Sequence, residues 1–369
     1  MTTDKKLLIV YSNLGLGGIP VKIVDIVNKL GKQHANLAIH ILLKKHKNFN
    51  LRSLIINPNI TVSVFNSKNQ NKSSLLFILW VWKFLLTYKP NTILTFISAY
   101  SLPILITKVL FFWTNPIMVV SEDSYTSTMI NYMALPIIQR LGIRMLYPLA
   151  SRIITPTRAI NKDLKDSFSI PSEKIVTVPN WSRYALCPIS KTKRACDIVY
   201  VGRIETIKNI PSMLNMLAMI IQKFNNRLSC YFVGEGSDVS RCSQFIKSNK
   251  LTKNIKIYPS TNDVSPYLYN AKILLFNPNR KLEGFPISIL DAMSCGTIVL
   301  TKYFFGVSEV ITNNKNGFIV NSDKDMKNRL LFIVKNYRSL LPIIKFAKKT
   351  VSNYNSLNNI QKYISCFDV

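Results

Sequence analysis

Acidic residues are what this chain lacks most: 18 Asp and Glu stand against 48 Lys and Arg, a net charge of +30 over 369 residues. No basic tail accounts for it, since dividing the chain after Ala185 leaves +15 on each side. The deficit is sharpest early, where no acid occurs between Asp25 and Glu122 while 11 Lys or Arg do. A surface of one sign is either simply solvated or matched to an anionic partner. Nucleic acid would fit the charge, but there is no recognition motif and no basic run interleaved with aromatics, so nucleic acid is set aside. Cysteine is also scarce: the six residues form no C-x-x-C pair and no His/Cys cluster, which argues against a zinc site and a disulfide framework and fits a reducing cytoplasm. The three histidines, His34, His40 and His46, all fall early.

Long apolar runs are missing as well. Leu7 to Tyr11 is too short for a signal peptide, so export is not expected. Ser73 to Leu86 (SSLLFILWVWKFLL) holds 11 apolar residues among 14 and is interrupted by Lys83, short of the roughly 20 needed to cross a bilayer. It reads as a buried or interfacial helix, and its tryptophans beside the acid-free stretch point to an anionic membrane surface as partner. The expected location is therefore cytoplasmic, peripheral on the inner face of the membrane.

What the chain has in quantity is alternation. Short β-branched runs (Leu7–Tyr11, 37–43, 61–65, 92–97, 117–120 and 152–155) alternate with helical stretches, including 19–30 and 102–112. Thr157 stands at a helix cap. After a segment rich in Pro, Ser, Lys and Arg at 181–196, a second series begins, with strands at 198–203, 228–233, 255–260, 272–277, 297–301 and 316–320. At this length two domains are expected. The reading is an α/β fold of two Rossmann-like, doubly wound domains facing one cleft: 1–180, a linker at 181–196, 197–354, and a C-terminal helix at 355–369 crossing back to the first domain.

One stretch organises the second domain: Glu283-Gly284-Phe285-Pro286-Ile287, continuing to Gly296. Pro286 suits a first helical turn, and Ile287, Leu290 and Met293 recur at helical spacing. The helix of about 286–295 lies between two strands, so its N-terminus stands where parallel sheets place ligands and where free N–H groups favour negative charge. Asp291 follows Glu283 by eight residues, two turns or about 10 to 12 Å, so the acids can address two parts of one extended ligand. Each could equally be an ordinary helix charge. Arg203 and Lys208 flank a strand-to-helix turn and can converge on a diphosphate, one as a planar fork and the other as a point charge. Gly15, Gly17 and Gly18 form a turn that permits close backbone approach, although such turns serve packing as often as phosphate binding, and the G-x-G-x-x-G spacing is absent.

Together, E-G-F-P-x-x-x-x-D, G-R-x-x-x-x-K-N at 202–209 and the Gly17-Gly18 loop resemble glycosyltransferase family 4 (glycosyl transferases group 1) of GT-B fold, like the transferases of bacterial envelope polysaccharide synthesis. The family usually has Glu at the second acid, where this chain has Asp291, and often a histidine where it has Ser121-Glu122-Asp123. The resemblance implies a retaining, metal-independent transferase moving a hexosyl or N-acetylhexosaminyl group from a nucleotide-diphosphate sugar to a hydroxyl of a glycan, the glycan lipid-linked, with no cofactor. In that scheme Arg203, Lys208 and Glu283 are catalytic. Gly17, Gly18, Glu122, Gly234, Tyr258, Gly284, Phe285, Pro286, Ile287 and Asp291 bind the donor, Asp291 addressing the ribose. Glu122 takes the polar role of the missing histidine or caps the next segment. A nucleotide-sugar epimerase and a non-catalytic, membrane-associated sugar-nucleotide-binding subunit are the alternatives. The only D-x-D, Asp323-Lys324-Asp325, sits at a helix start and is read as N-terminal charge, with no metal site assigned.

Overall fold

A computed structural model describes residues 5–15, 17–45, 51–65, 73–111, 113, 115–186, 194–224 and 227–367. His46 and the middle of the expected linker, 187–193, lie outside them. The chain divides into two compact units, Met1–Pro179 with Leu357–Val369, and Asn180–Ser356.

The first unit contains β1 (Lys6–Tyr11), α1 (Gly18–Gln33), β2 (Ala38–Leu43), β3 (Ile60–Val64), α2 (Ser73–Tyr88), β4 (Thr92–Phe96), α3 (Ser98–Leu105), α4 (Thr107–Leu110), β5 (Ile117–Ser121), α5 (Thr126–Met129), α6 (Pro136–Leu146), β6 (Arg152–Thr155), α7 (Arg158–Phe168) and β7 (Ile175–Thr177). Its seven strands are parallel in the order β3-β2-β1-β4-β5-β6-β7. Right-handed crossovers then put α1 on one face and α2, α3, α6 and α7 on the other. That second face is filled by Leu8, Val10, Phe77, Val81, Ile104, Ile143 and Leu164, all buried. Thr157 caps α7 by accepting from the Ile160 amide, as its position before the helix predicts.

The second unit continues with β8 (Cys196–Val201), α8 (Ile210–Lys223), β9 (Cys230–Val233), α9 (Val239–Ser248), β10 (Ile255–Tyr258), α10 (Ser265–Asn270), β11 (Ala271–Phe276), α11 (Ile287–Ser294), β12 (Ile298–Lys302), β13 (Phe318–Val320), α12 (Asp323–Asn336) and α13 (Leu341–Val351). Its parallel sheet runs β10-β9-β8-β11-β12-β13. The winding reverses between β8 and β11, because β9 and β10 build outward on one side of β8 and β11 begins the other. The last helix, α14 (Ser356–Ile364), packs in the first unit: Gln361 accepts from Gln33, and the Tyr363 ring lies 5.7 Å from Lys22 Nζ.

Three expectations need correcting. The helix at 102–112 is two pieces, α3 and α4, with Pro103 inside the first. Residues 181–186 and 194–196, expected as linker, are built into the second unit: Trp181 is buried, and Arg194, also buried, donates to the carbonyls of Ala271 and Gly296. Helix α6 was not anticipated, and its apolar stripe faces outward.

Candidate functional site

Open parallel sheets bind ligands beyond the carboxyl ends of the strands where the winding reverses. In the second unit that point lies between the loops after β8 and β11. The first loop carries Gly202 to Lys208 and ends at Asn209, whose φ of 53° turns the chain into α8. The second runs from Asn277 to Pro286 and feeds α11. Lys208 and Glu283, one from each loop, meet here: Nζ donates to Oε2 at 2.5 Å, with side chains 18% and 12% exposed. Lys208 also lies 6.0 Å from the Phe276 ring at the end of β11. Glu283 stands three residues before a helix start: Pro286 is the N-cap of α11, Ile287 its first residue, and the Ile289 amide donates to the Pro286 carbonyl at 3.2 Å. Asn180 braces this turn by donating to the Phe285 carbonyl at 2.7 Å. Gly284 and Phe285 are buried beneath it.

Arg203 does not join this pair. It binds Glu205 at 2.8 Å and is half exposed, while its carbonyl accepts from the buried Tyr200 hydroxyl. Gly234 serves packing: a Cβ there would lie 1.9 Å from the Gly202 carbonyl oxygen, and its φ is 156°. Gly236 is confined in the same way, a Cβ there falling 2.2 Å from the Ile204 carbonyl oxygen, so the turns after β8 and β9 interlock, whereas Gly202, at φ 154°, faces the Tyr200 hydroxyl. The Gly202 amide donates to Val233, and the Ile204 amide to Glu235. Tyr258, at the end of the edge strand, stacks among aromatics, its ring 5.1 Å from Tyr231 and 5.0 Å from Tyr267.

Asp291 departs most from expectation. Instead of facing a ligand it is wholly buried, and its oxygens accept from Ser182 Oγ (3.1 Å) and from Arg183 N (2.9 Å), Nε (3.0 Å) and Nη2 (2.8 Å). Burial pushes the carboxyl up, and the Arg183 guanidinium works against that. The strap 180–184 is thus bonded to α11, Ser182 also accepting from Ser294 Oγ at 2.9 Å, and Asp291 holds Arg183. Arg183 in turn reaches the Asn262 carbonyl, in the loop after β10, and the ring of its own neighbour Tyr184. Sequence reasoning missed this arginine because it read 181–196 as linker; an arginine near a buried helix acid would have been the signal.

In the first unit Gly17 is the N-cap of α1 and Gly18 its exposed first residue. Glu122 neither caps a backbone nor faces solvent. It is buried, accepting from the hydroxyls of Tyr147 and of Thr126 (3.1 Å), and burial pushes it up to about 8. Its neighbour Asp123 pairs with Lys22, itself almost fully buried. The two acids of the D-x-D lie in the first turn of α12, capped by Ser322: Asp323 accepts from Lys302 and Ser212, and Asp325 from Ser322.

Residues 189–350 match Glycosyl transferases group 1. The poly(ribitol-phosphate) alpha-N-acetylglucosaminyltransferase of Staphylococcus aureus is 23% identical over 58% of this chain and 43% of its own length. A Campylobacter jejuni relative, N-acetylgalactosamine-N,N'-diacetylbacillosaminyl-diphospho-undecaprenol 4-alpha-N-acetylgalactosaminyltransferase, is 24% identical over 51% of this chain and 52% of its own. The chain thus spans about half the length of the curated relatives it matches. The crystal structure of Anabaena HepE with UDP and glucose superposes with a TM-score of 0.76 at 15% identity, covering 98% of both chains. By its fold the chain is a GT-B protein, and its residues 189–350 are similar to the glycosyl transferases group 1 family.

Proposed function

We propose that the protein transfers a sugar from a nucleoside diphosphate to a hydroxyl of a glycan acceptor, with retention at the sugar carbon. The observation that carries this is the Lys208–Glu283 pair at the reversal point of the second sheet, beside the start of α11. In the reaction the bond between the anomeric carbon and the β-phosphate oxygen breaks, the acceptor oxygen bonds to that carbon on the same face, and the acceptor proton passes to the departing diphosphate. Lys208 has three donors, so it can hold both Glu283 and a phosphate oxygen as charge grows there. Glu283, fixed by Lys208, accepts from the sugar hydroxyls. The first-turn amides of α11 take a second phosphate oxygen. Arg203, on a half-exposed and therefore weak pair with Glu205, can exchange that partner for the diphosphate. These cations take over the electrostatic role of a divalent metal, so none is needed.

The relatives' names support an envelope glycan as acceptor, and the undecaprenyl-linked substrate in one of them supports a lipid-linked one. UDP in the Anabaena structure supports a nucleotide donor. An anionic membrane surface is the second partner in this reading, with the protein peripheral on it. The test is product formation from UDP-, GDP- and ADP-sugars with and without a lipid-linked glycan. Transfer that depends on the acceptor supports the reading; an epimerised donor without acceptor, or no turnover despite donor binding, replaces it with the epimerase or the binding subunit.

A further inference from the structure

Helix α6 is built inside out. Gly142 and Ile143 face inward: a Cβ on Gly142 would come within 3.1 Å of Leu102 on α3, and Ile143 is fully buried. The opposite side carries Ile137, Ile138, Leu141 and Met145, spaced as one helical stripe, with Ile137 75% and Met145 71% exposed. Exposed apolar residues scattered singly need no explanation, but a contiguous stripe marks a contact surface. Val109 and Leu110 of α4 are exposed as well, and α3 touches both α4 and α6.

Charge identifies the occupant. From Ile26 to Lys162 the only acids are Glu122 and Asp123, the first buried and the second paired with Lys22. Arg140 and Arg144 of α6 are both exposed, the former 5.5 Å from the Phe168 ring. The next exposed acid, Asp166 on α7, is paired with Lys162. A second copy of the chain, docked symmetrically, would set these arginines against their own counterparts with no acid to answer them. An anionic bilayer answers both features, taking the stripe among its acyl chains and the arginines among its phosphates. At 11 residues α6 is too short to cross and is suited to lie in the interface.

We propose that α6 is the element that docks on anionic lipid, with its 137–145 stripe inserted and Arg140 and Arg144 at headgroup level. This rests on the peripheral-membrane reading above and assigns that contact to one helix. The full chain is to be sedimented with phosphatidylcholine vesicles containing one part in three phosphatidylglycerol. Binding should fall at least tenfold in the doubly substituted Ile138→Glu, Leu141→Glu chain, fall and lose salt dependence in Arg140→Ala, Arg144→Ala, and stay unchanged in Met219→Glu on α8. Hydrogen exchange in the unaltered chain should slow over 132–146 when vesicles are added, which decides the matter even if a variant misfolds. No binding by the unaltered chain would overturn both readings. Equal binding by the glutamate variant, or no slowing over 132–146, would overturn α6 alone. A variant that instead lowers the mass of a dimer or captures no lipid difference would assign the face to a protein contact.

Discussion

At the residue scale the buried acids decide what each position can do. Glu122 gives up its proton near 4.5 ordinarily and only at about 8 here, because burial disfavours the anion more than the Tyr147 and Thr126 hydroxyls favour it. Between those values the folded chain holds a proton the unfolded chain has lost. The neutral carboxyl therefore contributes stability that is complete below the lower value and is lost as pH rises through the upper. Thermal unfolding across that window should show the unaltered chain losing stability relative to Glu122→Gln as pH approaches about 8; parallel curves would mean that Glu122 does not titrate there. Asp291 is the contrasting case, its oxygens held by four donors. Arg183→Ala leaves that carboxylate buried without its cation and should cost on the order of 3 kcal/mol in denaturant titrations. Lys302→Ala, which removes the partner of a half-exposed Asp323, should cost under about 1 kcal/mol. Similar losses in the two would show that burial does not govern these pairs.

At the element scale the sequence was legible wherever apolar residues face inward. The strands of both sheets and α11 lie within a residue or two of where β-branched runs and the Pro286-to-Gly296 punctuation put them. Legibility failed at α6, where the apolar stripe is the outer face, and at 181–186, where Ser182 and Arg183 make specific bonds that no periodicity encodes. It failed differently at Gly234, whose role is the tight crossing of two turns distant in sequence. For α12 the position of the D-x-D in a capped first turn, with Lys302 on Asp323, sets an expectation for catalysis. Transfer should persist in excess EDTA and in Asp323→Ala. Activity abolished by the chelator and restored by Mg²⁺ or Mn²⁺ would show that a metal acts on the diphosphate after all.

At the scale of the whole molecule, each unit carries a parallel sheet, of seven strands in the first and six in the second, and the excess of positive charge lies on both units. The site motifs could be read from sequence because each loop at the reversal point carries a local pattern, G-R-x-x-x-x-K-N in one and E-G-F-P in the other. Their actual pairing could not be read, since Lys208 and Glu283 are 75 residues apart and only the crossover joins them. Lys208 is therefore the position on which the account depends. Calorimetric titration of UDP, GDP and ADP into the full chain and into Lys208→Ala tests it most directly. A charge-assisted hydrogen bond contributes about 1.5 to 3 kcal/mol, so at least one of the three should bind the unaltered chain and bind the folded variant roughly ten- to hundredfold more weakly. Equal affinity in the two chains, or no binding of any nucleoside diphosphate, would contradict it.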